Sequence, residues 1–371
     1  MLIEKVTPVI AAAPSDTWAF VSITTDNGIK GWGEFSGHPM SNAAVSAIIN
    51  VFAPGITGKD PLQIEKCLAP ITAWRYPSYL DDRMMIIALS ALNMALWDIK
   101  SKYEGVPLYK LLGGQGGRQI KLYANLNRLL RSDRSLDKLV SAASRAVSDG
   151  FGMVKITPFD EVTPHIEHPD VLPGFERYRA VSGQVGAGRT SLDCHCRFTR
   201  DSFGKLLSVF GNETAHIPFI EDPVRIHWAK DIKPVFERYP NIDFASGEDC
   251  FSAGELNDLA SSGFLKILNP DIKYIGGISG ALRIVPGLLE RGMNVSLHNP
   301  CGPIVTAHSA HVSTLCGKNT MLEFAYGDAA TRNSAIGMKE PIENGVYYLS
   351  DTPGIGIEPS ADFLEKYGTS S

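Results

Sequence analysis

Cysteine is sparse and unpatterned: six residues in 371, at positions 67, 194, 196, 250, 301 and 316. So few, so irregularly spaced, do not make a disulfide framework, and the default reading is reduced thiols in the cytoplasm. Cys194 and Cys196 form C-x-C, but no second pair stands at zinc-site spacing, which argues against a structural zinc. Charge of one sign is lacking too. Thirty-five Lys and Arg against 40 Asp and Glu leave a formal −5, without the basic surplus of a nucleic-acid binder. The longest apolar run, Met84–Trp97, is interrupted by Ser90 and Asn93 and reads as too short to span a bilayer. The start, MLIEKVTPV, has no basic region leading into an apolar signal core, and the end, KYGTSS, has no lipidation motif. These absences point to a cytoplasmic chain with neither nucleic-acid nor membrane partners.

What is present suits a globular protein of two domains, or one large barrel with additions: 44% apolar and 20% charged residues. Residues 18–25 alternate as a strand, Asp26-Asn27-Gly28 is a turn signal, and residues 31–34 read as the return strand of a hairpin. Helical patterns follow over 41–53 and 81–103, so residues 1–117 read as an α+β unit. It closes at the glycine cluster 113–117, which lacks the Lys-Ser/Thr of a phosphate loop and precedes a strand rather than following one.

Beyond that boundary short apolar runs recur, with helix-like segments between most of them: 121–127, 153–157, 190–195, 217–223, 241–248, 264–271, 293–299 and 320–325. Eight strands with intervening helices predict an α/β fold, a (β/α) barrel with a parallel sheet over 118–328. The connection after Glu323 has no clear helical pattern. The tail, 329–371, is expected to pack back on the first unit.

The polar residues that end these runs carry the functional signal. Lys155, Asp193, Glu221, Glu248, Asp271, His298 and Glu323 each close a different strand, at separations of 38, 28, 27, 23, 27 and 25 residues. Strand C-termini of a barrel converge on one mouth, where its active sites are built. Asp193, Glu221 and Glu248 come from consecutive strands, and adjacent carboxylates repel unless protonated or bridged by a cation. An all-oxygen set suits Mg²⁺, or Mn²⁺, better than zinc. Asp271 next to His298 makes a plausible oriented general base. His195, two residues after Asp193, is expected on the same strand face, as a ligand, an acid or a neighbour. Lys155 is expected to be buried against the carboxylates.

These segments resemble the enolase superfamily, in its mandelate racemase and muconate lactonizing enzyme branch. The likeness rests on ALSALNMALWDIK (88–100), GVPLYKLLGG (105–114), GFGMVK (150–155), the Asp193 strand, IEDP (220–223), Gly247-Glu248, PDI with GGI (270–278) and LHN (297–299). It implies a modified (β/α)7β barrel under an α+β cap built from the N-terminal region and the C-terminal tail. It implies Mg²⁺ on Asp193, Glu221 and Glu248, an Asp271–His298 dyad, and Glu323 hydrogen-bonded to a substrate carboxylate. It also implies a homo-oligomer acting on a small carboxylate, with specificity in cap loops. Trp18, His38, Arg75, Tyr76, Thr157 and Arg197 are the candidate substrate contacts.

One departure is informative. The family's Lys-x-Lys pair falls here on Lys155 and Thr157, so the usual second lysine base is missing. Asp193-Cys194-His195-Cys196-Arg197 is instead similar to the D-x-H-x-R pattern of galactonate dehydratases, in which the histidine helps hydroxide leave. That combination implies dehydration of an acid sugar, with His298 as base and His195 as acid. A cycloisomerase or lactonizing enzyme, an epimerase or racemase, and a metal-binding barrel without catalysis are the alternatives.

Overall fold

The computed structural model describes residues 1–370 apart from 15, 73–81, 115–116, 131–132, 165, 226–228, 318–319 and 328. Arg75 and Tyr76 therefore lie outside the described residues. Strand Ile3–Ala12 (β1) pairs antiparallel with Thr17–Thr25 (β2), which turns back into Lys30–Glu34 (β3). Gly28 takes the left-handed conformation (φ 85°) that this turn needs. The expected hairpin is present. β1 extends it and had no clean sequence signal, because only three of its ten residues are buried and Pro8 interrupts it.

Three helices follow, Pro39–Ile56 (α1), Ile64–Thr72 (α2) and Arg83–Tyr103 (α3); α1 and α3 pack on this sheet and α2 packs against both of them. α1 and α3 are long and apolar enough to cross a membrane by composition alone, but 78% of the apolar window of α3 is buried inside the fold. Its close seat follows from two glycines on one face of β3. A Cβ on Gly31 or Gly33 would lie 2.1 Å from the carbonyl oxygen of Ala95 or Ala91, one helical turn apart.

Eight short parallel strands follow among the described residues. They are Gln119–Asn125 (β4), Val154–Ile156 (β5), Thr190–Asp193 (β6), Ile220–Glu221 (β7), Phe244–Ser246 (β8), Ile267–Leu268 (β9), Asn294–Val295 (β10) and Leu322–Ala325 (β11). Seven fall inside the runs read from the sequence and β4 starts two residues before its run, and they neighbour one another in the order β11-β4-β5-β6-β7-β8-β9-β10. Between β10 and β11 the seam is spanned by side chains: Ser296 Oγ donates to the Met321 carbonyl at 2.7 Å, and Thr320 donates to that of Val295. The tail forms Ile342–Glu343 (β12), Val346–Tyr348 (β13) and Gly368–Ser370 (β14). β13 pairs antiparallel with β4, and β14 adds to β1. The tail thus stitches barrel and cap together.

One barrel helix had no sequence signal. Pro303–Ser313 is buried at every position, so it has no polar stripe and no amphipathic period to read. The cap fixes its start. Glu34, at the end of β3 and fully buried, accepts Gly302 N–H at 2.8 Å and the Ile304 and Val305 N–H groups at 2.9 Å each. A carboxylate on three orphan donors at a helix N-terminus is a strong cap. It sets the loop carrying His298 to Pro300 against the first domain.

Two histidines on that helix predict an acid-labile core. His311 Nδ1 accepts Tyr109 N–H at 2.9 Å while Nε2 faces the Ile355 carbonyl at 3.3 Å, a pattern only the neutral ring satisfies. Nε2 of His308 faces the Trp32 carbonyl at 2.9 Å. Burial lowers their pKa values to about 3 (His308) and about 4 (His311). Both lie below the unfolded value of about 6.5, so the unfolded chain takes up protons first on acidification. Stability is then full above about pH 6.5 and falls by up to ~1.4 kcal/mol per pH unit for each ring down to the folded values. Thermal melts between pH 7 and 5 should show a shallower fall in His308→Gln than in the wild type; equal slopes would refute this.

Candidate active site

Lys155, in β5, sits at the centre of the barrel mouth and is 1% exposed. Its ammonium pairs with Glu221, reaches Glu323 Oε1 at 2.8 Å and stands 3.6 Å from Asp193 Oδ2. Burial alone would drive its proton off, but the carboxylates reverse the sign and hold the pKa well above the ordinary lysine value. Glu323 is fully engaged. Oε1 takes Lys155 and Asn125 Nδ2 (2.5 Å), and Oε2 takes Asn299 N–H at 2.8 Å. It holds Lys155 and the 299 loop rather than lining the cleft.

Register puts Asp193 directly across from Glu221. Against the burial that would raise it, Lys155 and His195 hold the Asp193 carboxyl below the usual range. Glu221 is pushed up to about 8 and Glu248 to about 7, first by burial and then by neighbouring carboxylates, with Lys155 or His298 opposing. Glu248 lies past the end of β8 with its side chain 18% exposed, and its Oε2 is 3.1 Å from His298 Nε2. His298 Nδ1 lies 3.0 Å from Asp271 Oδ2. Burial works against a charged ring, yet Glu248, Glu323 and Asp271 together raise its pKa well above the free value.

Asp193, His195, Glu248 and His298 open onto one cleft of about 650 Å³. Asn125, Asn127, Arg128, Lys273 and Tyr274 share its wall, and the cap closes it with Asp16, Thr17, Ser36, Gly37 and His38. Of the expected substrate contacts, His38 lines this cleft; it also caps α1 by accepting Met40 N–H.

The other expected contacts need correction. Trp18 is fully buried, with Arg128 stacked 4.6 Å from its ring, so it supports the wall without facing substrate. Thr157 is buried just past β5 with an unpartnered Oγ1 and is not on the cleft wall. Arg197 turns away, donating to the Val162 carbonyl at 2.7 Å and approaching Asp160 at 3.7 Å. His195 reaches the cleft, but not along a strand. β6 ends at Asp193, and His195 sits in a left-handed turn (φ 46°) that folds its ring back to 3.0 Å from Asp193 Oδ2. Burial opposes the charged ring; Asp193 outweighs it and raises the His195 pKa.

Several wall residues were missed. Asn125 ends the first barrel strand as Asp193 ends the third, and Asn127 follows two residues on, so the strand-end rule extended to neutral amides would have found them. Asn127 Nδ2 donates to Asp193 Oδ2 at 3.1 Å. Arg128 binds Asp16 of the cap and donates to the Pro300 carbonyl at 2.9 Å; no local motif announces it.

The sequence expectation of three carboxylates gathered on a cation is not met as the side chains stand. Among the described residues no three His, Cys, Asp or Glu groups are close enough to hold a metal. Lys155 is wedged beside Glu221 and Asp193, and Glu248 is turned onto His298. The donor chemistry nevertheless fits a hard divalent ion: oxygen ligands from three adjacent strands, two of them forced toward protonation by crowding.

Residues 5–113 match the family described as mandelate racemase / muconate lactonizing enzyme, N-terminal domain, and residues 138–363 match the one described as enolase C-terminal domain-like. D-galactonate dehydratases from Verminephrobacter eiseniae and Variovorax paradoxus are each 27% identical over 368 residues, covering 95% of this chain and 92% of their own length. A solved member of the enolase superfamily from Salmonella Typhimurium superposes with a TM-score of 0.89 at 24% identity, over 100% of this chain and 99% of that one. The 3,6-anhydro-D-galactonate cycloisomerase from Zobellia galactanivorans does so with a TM-score of 0.84 at 24% identity, over 100% of both. At that identity these two structures speak for the fold alone.

Proposed function

The chain belongs to the mandelate racemase/muconate lactonizing enzyme branch of the enolase superfamily, and from that premise we propose that it is a lyase dehydrating an acid sugar to a 2-keto-3-deoxy acid. The observation that carries this is the pair of imidazoles on one cleft, with Lys155, the lysine at the barrel mouth, locked. The Lys155 ammonium is tied down by Glu221 and Glu323 with Asp193 beside it, so it is not free to reach an α-proton, and Thr157 stands where a second lysine would be. That leaves one base, which suits elimination better than two-base racemisation.

In this reading His298, held by Asp271, removes the proton α to the substrate carboxylate. The electron pair moves into the carboxylate as an enediolate, facing the charge of Lys155. Its collapse breaks the bond to the 3-hydroxyl, which leaves as water with a proton from His195. The enol then tautomerises to the ketone. Mg²⁺, or Mn²⁺ in its place, held by Asp193, Glu221 and Glu248, would supply positive charge against the developing dianion. His38 and the Asn125–Asn127 wall would meet the sugar hydroxyls. The same reading makes the protein a cytoplasmic homo-oligomer, and the free thiols, five of six buried, are compatible with a reducing compartment.

Incubation with Mg²⁺ and a panel of aldonates and aldarates, followed by mass spectrometry, should reveal a product lighter by one water. Conversion without mass change would favour the cycloisomerase reading. His195→Asn separates the two half-reactions: α-proton exchange should persist while dehydration falls by ~10²–10⁴-fold. Dehydration at the wild-type rate in that variant would remove His195 from the chemistry.

A further inference from the structure

Lys273 lies two residues after Asp271, in the segment following β9, and its side chain is 7% exposed. It lines the same cleft as His298 and Glu248. Among the described residues its ammonium hydrogen-bonds the Cys301 thiol and otherwise has long contacts: Asp271 Oδ2 at 3.6 Å, the Ser36 carbonyl at 3.5 Å and the Tyr274 ring at 5.2 Å. Asp271 is already committed, since Oδ2 faces His298 Nδ1 at 3.0 Å and Oδ1 takes the Lys273 backbone N–H at 2.8 Å. Arg128, the other basic side chain of Lys or Arg type on this wall, is engaged by Asp16 and Pro300.

A buried ammonium with three donors, one weak thiol acceptor and no short oxygen acceptor among the described residues is an unfavourable arrangement unless a ligand completes it. Its position indicates which part of a ligand. Lys273 meets the cap at Ser36, and Ser36, Gly37, His38 and Tyr274 surround it in the part of the cleft under the cap. Lys155 and the three carboxylates lie in the barrel mouth. A substrate placing its reacting carboxylate at that mouth and its α-carbon at His298 extends its remaining carbons toward the cap.

We propose that Lys273 binds a second anionic group at the far end of the substrate, so that the preferred substrate is a six-carbon diacid, an aldarate, rather than the aldonate with its neutral terminus. This rests on the dehydratase reading. A charge-assisted hydrogen bond in a partly desolvated cleft is worth roughly tenfold or more in affinity.

The test compares kcat/KM for an aldarate, the aldonate of the same configuration and its 6-phosphate, in wild type, Lys273→Met and Lys273→Arg, each first checked for an unchanged thermal midpoint. The wild type should favour the aldarate by about tenfold or more. Lys273→Met should collapse that ratio, mainly through KM, and Lys273→Arg should restore part of it. An equal loss on all three substrates in Lys273→Met, or a wild type preferring the aldonate, would overturn the proposal. A preference for the 6-phosphate would overturn the dicarboxylate assignment. If no acid sugar is turned over, the dehydratase reading fails by itself. Calorimetric binding of the same three acids to Mg²⁺-loaded protein then decides: tighter aldarate binding lost in Lys273→Met supports the site, and indifference to the second charge refutes it.

Discussion

His298→Asn is expected to lower dehydration and α-proton exchange together, by ~10²–10⁴-fold, with little change in substrate affinity. The size follows from the position of the ring. Nδ1 is held by Asp271 and Nε2 lies beside Glu248 on the cleft, so the ring has an orienting carboxylate behind it and the space for a substrate in front. Lys155 cannot substitute while Glu221 and Glu323 tie its ammonium down. Asparagine keeps a hydrogen bond toward Asp271 but takes up no proton. Stopped-flow and isotope-exchange rates on the variant check this, and exchange at an undiminished rate would reassign the base.

The second large effect concerns the divalent cation. Chelation is expected to abolish turnover and added Mg²⁺ to restore it; Mg²⁺ should also stabilise the wild type, by ~2.7 kcal/mol at a hundredfold excess over its dissociation constant. Asp193→Asn and Glu221→Gln should lose both the activity and the stabilisation. The crowding of Asp193, Glu221 and Glu248, with two carboxyls pushed to about 8 and about 7, is the physical source of the expectation: a cation relieves repulsion that the apo site absorbs by binding Lys155 and protons. Thermal shift with Mg²⁺ against a matched monovalent salt checks it without reference to activity. An equal shift in Asp193→Asn would place the ion elsewhere.

The parts of this protein that were legible in its sequence are those written in a period. The eight barrel strands and the residues that end them repeat at one βα unit, and the β2–β3 hairpin announces itself through Asp26-Asn27-Gly28. The helix Pro303–Ser313 was invisible because full burial erases the amphipathic pattern. Trp18 misled because an aromatic beside a cap loop reads alike whether it faces the cleft or supports Arg128 from behind. His195 reaches the cleft wall through a left-handed turn and not through the strand alternation that the sequence suggested. Lys273 escaped because the strand-end rule stops at Asp271, which is buried behind His298, whereas Lys273 two residues on reaches the cleft wall.

The central claim is that this cleft removes a proton from the carbon next to a carboxylate and expels the neighbouring hydroxyl. Proton NMR of the Mg²⁺-loaded protein in D₂O with aldonates and aldarates tests it most directly. The account predicts loss of the C2 proton signal and growth of a 2-keto-3-deoxy product carrying solvent deuterium at C3. Persistence of the C2 proton across the panel, in protein shown to bind Mg²⁺, would contradict it.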